Sequence, residues 1–137
     1  MLRANNMMQL KPYEECNHAT IEAWWIAHEA MSIPHAALPK TGCIAVNEDG
    51  VLCAAAWLYL DNSVPVSFMS WMIVNPAARS MEKFDGLNHC IRYLTDHGEN
   101  LGYGVMVSMS AIPSISKLMK LHGFEIASKG VEILLKG

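Results

Sequence analysis

Two long apolar runs, Val51–Leu60 and Val64–Val74, follow a shorter one at Cys43–Val46, and only tight polar turns separate them. The turn Asn47-Glu48-Asp49-Gly50 contains an Asp-Gly step, a strong local hairpin signal, and Asp61-Asn62-Ser63 marks a second reversal. Consecutive apolar runs with such turns predict neighbouring strands of one sheet. Their weak alternation predicts a sheet covered on both faces. The last run then enters Met72-Ile73-Val74-Asn75-Pro76-Ala77-Ala78-Arg79-Ser80-Met81-Glu82-Lys83-Phe84. There a strand stops at Asn-Pro, a short loop carries one Arg, and an amphipathic helix begins. The free N–H groups and positive dipole end of such a helix form a natural anion cradle. The glycines that usually let backbone approach a phosphate are absent.

The rest of the chain completes a mixed α/β pattern. Met8–Leu10 reads as a short strand closed by Lys11-Pro12-Tyr13. A helix capped by Asn17 or Thr20 runs to about Met31, with Ile21, Trp24, Trp25, His28 and Met31 at helical spacing. Adjacent Trp24 and Trp25 point different ways on a helix, so one is expected at the surface. Met81, Phe84, Leu87, Ile91 and Leu94 form the stripe of a second helix ended by His97-Gly98 and Leu101-Gly102. A strand over Tyr103 to about Met109 comes next, and then a helix from Pro113 stopped by Gly123. Phe124–Ala127 and Val131–Leu135, around Ser128-Lys129-Gly130, read as a last strand pair. The order is β-α-β-β-β-α-β-α-β-β in a single domain over 1–137.

Composition narrows the function classes. The net charge of -3 and the lack of a Lys/Arg cluster argue against nucleic acid, and no apolar run reaches membrane-span length. Cys16, Cys43, Cys53 and Cys90 have no CxxC spacing. Reduced core thiols, a cytoplasmic setting and no metal site are therefore expected; Cys43 and Cys53 could also approach across a hairpin.

The element order resembles the GNAT-type N-acetyltransferase superfamily over nearly the whole chain. The resemblance is carried by Val74-Asn75-Pro76-Ala77-Ala78-Arg79, by Leu101-Gly102-Tyr103, and by Ile115-Ser116-Lys117-Leu118-Met119-Lys120-Leu121-His122-Gly123-Phe124. Leu58-Tyr59-Leu60-Asp61-Asn62-Ser63 together with Asn75-Pro76-Ala77-Ala78 is similar to small GNAT-like proteins of bacteriophages. The resemblance implies a GNAT α/β fold that holds acetyl-CoA as co-substrate between its fourth and fifth strands. Met72, Ile73 and Val74 would serve the pantetheine arm. Arg79 and Ser80, with the first-turn amides of Met81, Glu82, Lys83 and Phe84, would hold the pyrophosphate. Ser108 and Ser110 could donate to a pantetheine amide.

The family's pyrophosphate loop follows the pattern Arg/Gln-x-x-Gly-x-Gly/Ala, and with Arg79 at its start Glu82 and Phe84 fall on its two small positions. A carboxylate about 4–5 Å from a phosphate costs roughly 3–4 kcal/mol at an effective dielectric near 20, unless it turns outward or pairs with Arg79 or Lys83. Ser70 and Met119 fall where the family often carries its catalytic Glu and Tyr. His35, in the loop overhanging the acceptor side, is the remaining candidate base. Two functions are implied: acetyl transfer from acetyl-CoA to an unidentified small-molecule or protein amine, or a catalytically silent GNAT-fold phage protein. The second would serve as a virion component or bind a host protein, and a homo-oligomer suits either. The setting is the cytoplasm (the host's, for a phage protein) or a virion.

Overall fold

The polar turns reverse the chain as expected, and their side chains show why. Asn47 Oδ1 accepts the N–H groups of Asp49 and Val51, both at 2.9 Å, and Gly50 takes the positive φ of 82° that the turn requires. Asp61 Oδ1 accepts the Ser63 hydroxyl and the N–H groups of Ser63 and Val64. These bonds hold its carboxyl below the ordinary range.

The computed structural model describes residues 8–110, 112–134 and 136. Its elements are β1 (Gln9–Pro12), a 3-10 turn (Glu15–Asn17), α1 (His18–Ala27), a second 3-10 turn (His35–Ala37), β2 (Gly42–Val46), β3 (Leu52–Leu60), β4 (Val66–Val74), α2 (Ser80–Asn100), β5 (Val105–Ser108) and α3 (Pro113–Leu121). One sheet runs in the order β1-β2-β3-β4-β5. Its first three pairings are antiparallel, and β4 pairs β5 in parallel after the α2 crossover.

Helices cover both faces, as the weak alternation predicts. On one face α2 and α3 bury Cys43, Ala45, Leu58, Met69 and Met72 against Leu87, Ile91, Leu94, Ile115, Leu118 and Met119. On the other, α1 presses Ile21, Trp24 and Trp25 onto Ile44, Ala55, Trp57 and Ile73. Two glycines let α2 lie close to the sheet: a Cβ on Gly86 would stand 3.1–3.4 Å from the Cβ atoms of Ala45, Cys53 and Ala54, and one on Gly98 would meet Met106 Cε at 2.8 Å.

Several expectations need correction. β1 is shifted to Gln9–Pro12, so Lys11 and Pro12 belong to the strand. α1 ends at Ala27, short of Met31, because Glu29 adopts φ 57° and the Glu29 and Ala30 N–H groups bond back to Ile26 and Trp25. His97-Gly98 does not end α2. Gly98 is buried inside the helix, and the stop is Gly102 at φ 89°, with Tyr103 N–H bonded to Gly98 O. The fifth strand, Val105–Ser108, is shorter than Tyr103–Met109.

Trp24 and Trp25 are both buried, 5% and 2% exposed, since α1 sinks deeply enough for each ring to reach the sheet-side cluster. The terminal strand pair is absent among the described residues; Leu135 lies outside them. Ile126, Val131, Ile133 and Leu134 stay largely exposed. Without burial, nothing offsets the entropy of ordering that short hairpin.

Candidate functional site: a fork between parallel strands

The β4–β5 ladder runs from Val66↔Val105 to Met69↔Ser108 and stops there, although β4 continues for five more residues to Val74. Ser108 Oγ donates to Met69 O at 2.9 Å and closes the base of the fork. Immediately beyond it β4 carries a bulge, because Trp57 pairs Ser70 whereas Ala55 pairs Ile73. The extra residue there includes Trp71 at φ 59°. A tryptophan in the left-handed region is strained by about 1–2 kcal/mol, and neighbouring contacts must hold it. They are present: Trp71 Nε1 donates to Tyr59 Oη at 2.9 Å, and the Tyr59 hydroxyl donates to Ala37 O at 2.7 Å. This relay ties the bulge to the 3-10 turn that carries His35.

Of the residues expected along the pantetheine arm, Met72 and Ile73 are buried on opposite faces, and Val74 is half-buried. Val74 O already accepts His28 Nε2–H at 3.2 Å. Ser110, past the end of β5, makes a local turn with Ile112 through both its hydroxyl and the Ile112 N–H.

At the far end of the fork, Asn75 Oδ1 accepts Ala77 N–H, and Asn75 Nδ2 donates to Leu52 O. These bonds fix the loop, and α2 starts after Arg79, whose extended backbone (φ −66°, ψ 149°) serves as N-cap. Arg79 and Ser80 are exposed, as are Met81 and Phe84, while Glu82 and Lys83 are intermediate. Glu82 pairs with neither Arg79 nor Lys83. Its Oε2 accepts Asn47 Nδ2–H at 3.1 Å from the β2–β3 turn. That turn lies across β3 from the fork, so the carboxylate is drawn to the side away from β5. Arg79, Ser80, Met81, Glu82 and Phe84 line an open cleft of about 870 Å³ on this hairpin side, together with Asn47 and the acidic Glu48, Asp49 and Asp85.

His35 opens the second 3-10 turn. Its Nδ1 lies 2.8 Å from the Tyr13 hydroxyl, so only Nε2 remains for a substrate. Burial, then Glu15 and Cys16, push the Tyr13 phenol up and keep its proton in place. His18 donates Nε2–H to Ile33 O at 2.7 Å and packs edge-on to Trp25 and His35.

His122, at the end of its helix, is pushed toward neutrality by burial and by Arg92. It donates Nε2–H to Asn88 Oδ1 at 2.6 Å. Ser70 is half-buried beside the bulge, and Met119 is core. Tyr59 was missed, and nothing in its sequence neighbourhood marks it. Nor does any signal betray a positive φ at a tryptophan.

The four cysteines are free thiols. Cys43 contacts Cys90 rather than Cys53: each sulfur donates to the other's carbonyl at 3.8–3.9 Å. The Cys43 sulfur and burial hold the Cys90 thiol well above its ordinary pKa. Among the described residues no group of three His, Cys, Asp or Glu side chains is placed to hold a metal. No helix among them is long and apolar enough to cross a membrane.

No family model and no curated protein sequence matches the chain. Solved structures do. A GNAT superfamily phosphinothricin acetyltransferase from Sinorhizobium meliloti, in complex with AcCoA, superimposes with a TM-score of 0.67 at 16% identity, over 88% of this chain and 76% of its own. A GNAT-family acetyltransferase from Streptococcus pneumoniae gives 0.66 at 14% identity, over 96% and 100%. A protein described as a transcriptional regulator from Bacillus halodurans gives 0.69 at 8% identity, over 94% and 100%. The chain has the mixed α/β fold of the GNAT acyl-CoA N-acyltransferases.

Proposed function

We propose that the protein is an acyl-CoA-dependent N-acyltransferase that transfers acetyl from acetyl-CoA to an amine. The observation that carries this reading is the fork itself. The parallel ladder ends at Met69/Ser108, where β5 itself ends, and β4 runs on past a strained bulge toward the N-terminus of α2. The donor set fits the ligand: exposed Arg79 and Ser80 and the first-turn amides of α2 suit a pyrophosphate. The Glu82 carboxylate is held by Asn47 Nδ2–H. Bound there, acetyl-CoA would supply a thioester whose acetyl carbon bonds to the amine nitrogen as the C–S bond breaks.

The chain's own part is positional. Met72 to Val74 align the arm, and the Trp71–Tyr59–Ala37 relay fixes the bulge against the acceptor-side turn. His35 Nε2 is the candidate to take the amine's proton, in the tautomer whose Nδ1–H donates to Tyr13 Oη.

A second reading is a silent scaffold that binds a protein partner. It draws on the exposed Met81 and Phe84 beside the loop and on Met119, a core residue at the expected acid position. Calorimetric titration with acetyl-CoA, with Glu82→Gly alongside, separates the two. Micromolar binding to the natural sequence, changed by only a few-fold in Glu82→Gly, is expected. No binding in either protein would sink the acyltransferase reading in favour of the scaffold.

A further inference from the structure

We propose that the amine taken at this fork is carried on an aromatic or otherwise apolar body, seated on the part of the sheet that α1 leaves uncovered. This deepens the acyl-transfer reading and rests on it. α1 covers Ile44, Ala55, Trp57 and Ile73. One step further along, Tyr59 pairs Phe68 across β3–β4, and Phe68 pairs Val107 across β4–β5, so the three lie side by side.

Alternation places this row on the α1 side. Trp57 belongs to the α1-side core, and Tyr59 comes two residues later. Met106 packs beneath Gly98 of α2, so Val105 and Val107 face the opposite way. Phe68 is 40% exposed, Val107 39% and Val105 55%. Apolar side chains contiguous on an open sheet face, beside a strained backbone, mark an interaction surface.

The chemistry of the row selects its occupant. β3, β4 and β5 carry no charged residue in any of their positions. A polyamine or aminoglycoside seated there would leave water without gaining a carboxylate from the strands beneath it. An aryl body gains apolar contact with Phe68 and Val107, and its single ammonium can lie over the Trp71 and Tyr59 rings. The occupant is a small amine because the row runs without a break into the fork. Its nitrogen must reach the bulge at Trp71, beside which the thioester would lie.

The test measures CoA release from acetyl-CoA with phenethylamine, tyramine, spermidine and kanamycin, and titrates phenethylamine directly by calorimetry. Phenethylamine and tyramine are expected to give kcat/KM at least about tenfold above the other two. Phe68→Ala, at an exposed position, should lower kcat/KM for phenethylamine about tenfold through KM, with acetyl-CoA affinity unchanged. Val107→Asp should shift preference toward spermidine. Preference for spermidine or kanamycin in the natural protein overturns the proposal. So does indifference to Phe68→Ala, or a second copy of the chain found covering Phe68. Should acetyl-CoA fail to bind, the acyl-transfer reading falls. Phenethylamine binding that is lost in Phe68→Ala would then still uphold the surface, and its absence would overturn that as well.

Discussion

Gly42→Ala puts the packing of the α1-side core to the test. Gly42 lies opposite Trp57 across the β2–β3 ladder, and a Cβ there would stand 2.3 Å from Trp57 Cδ1 and 2.5 Å from Nε1. Ordinary carbon contacts begin at about 3.5 Å, so the indole would have to retreat by about 1 Å. It has no room to do so. Trp57 is 0% exposed and lies against Tyr13 and Trp25, with ring centroids 5.2 and 5.6 Å away.

Overpacking of this kind costs about 1–3 kcal/mol, and disturbing two aromatic pairs adds roughly 0.5–1.5 kcal/mol each. Alanine's advantage over glycine within a strand returns about 0.5–1 kcal/mol. The net expectation is a loss of about 2–4 kcal/mol, or about 10 °C in Tm for a chain of this size. Urea unfolding followed by circular dichroism, extrapolated at constant slope, measures it. In a Trp57→Val background the added methyl should cost less than about 0.5 kcal/mol, since the atoms it strikes are gone. An equal cost in both backgrounds, or a near-neutral Gly42→Ala, would refute the assigned packing.

The two glycines of α2 should respond in opposite directions. Gly86→Ala strikes three sheet Cβ atoms that cannot move singly and should destabilise by about 1–2 kcal/mol. Gly98→Ala meets only the flexible tip of Met106 and should be neutral or stabilising by up to about 1 kcal/mol, both read from urea midpoints. Glu29→Gly, which relieves a positive φ at the α1 stop, should raise stability by about 0.5–1 kcal/mol in the same assay. His122 is depressed below the ordinary imidazole pKa by burial and Arg92, so the unfolded chain binds its proton first as pH falls. Its contribution is therefore complete above about pH 6.5, the unfolded value, and declines as pH falls through the folded-state pKa; His122→Gln should flatten that part of the stability–pH curve. A thiol reagent should find one fast cysteine, Cys16, in the native protein and all four after denaturation; fast labelling of Cys90 would contradict its burial.

The sheet was legible because its signals are local. Asn47 to Gly50 and Asp61 to Ser63 specify their turns through their own side chains, and the apolar runs between them have no other way to be buried. Gly123 and Gly102 stop their helices for the same local reason. The features that escaped depend on distant partners. Gly98 looks like a stop until Met106 is seen against it, and Trp24 looks exposed until the depth of α1 is known. At the site, Arg79 and the helix start were visible in the Asn75-Pro76 stop, whereas the apolar stripe read from Met81 is buried only from Leu87 onward, Met81 and Phe84 being exposed. The direction of Glu82 was not visible, because its partner Asn47 is 35 residues away in sequence. The residue that shapes the bulge, Trp71, violates its own backbone preference, and a propensity argument runs directly against it.

The single parallel pairing also sets an order of assembly. β2, β3 and β4 zip together through short turns, whereas β5 can join only after the whole of α2 has been made and laid across the sheet. By loop closure the β4–β5 pairing, like β1–β2 with α1 between its strands, should close after the short-turn hairpins. A donor held between β4 and the chain just past β5 would stabilise a pairing that closes late. Its binding should lengthen the lifetime of the folded chain and leave the speed of folding almost untouched.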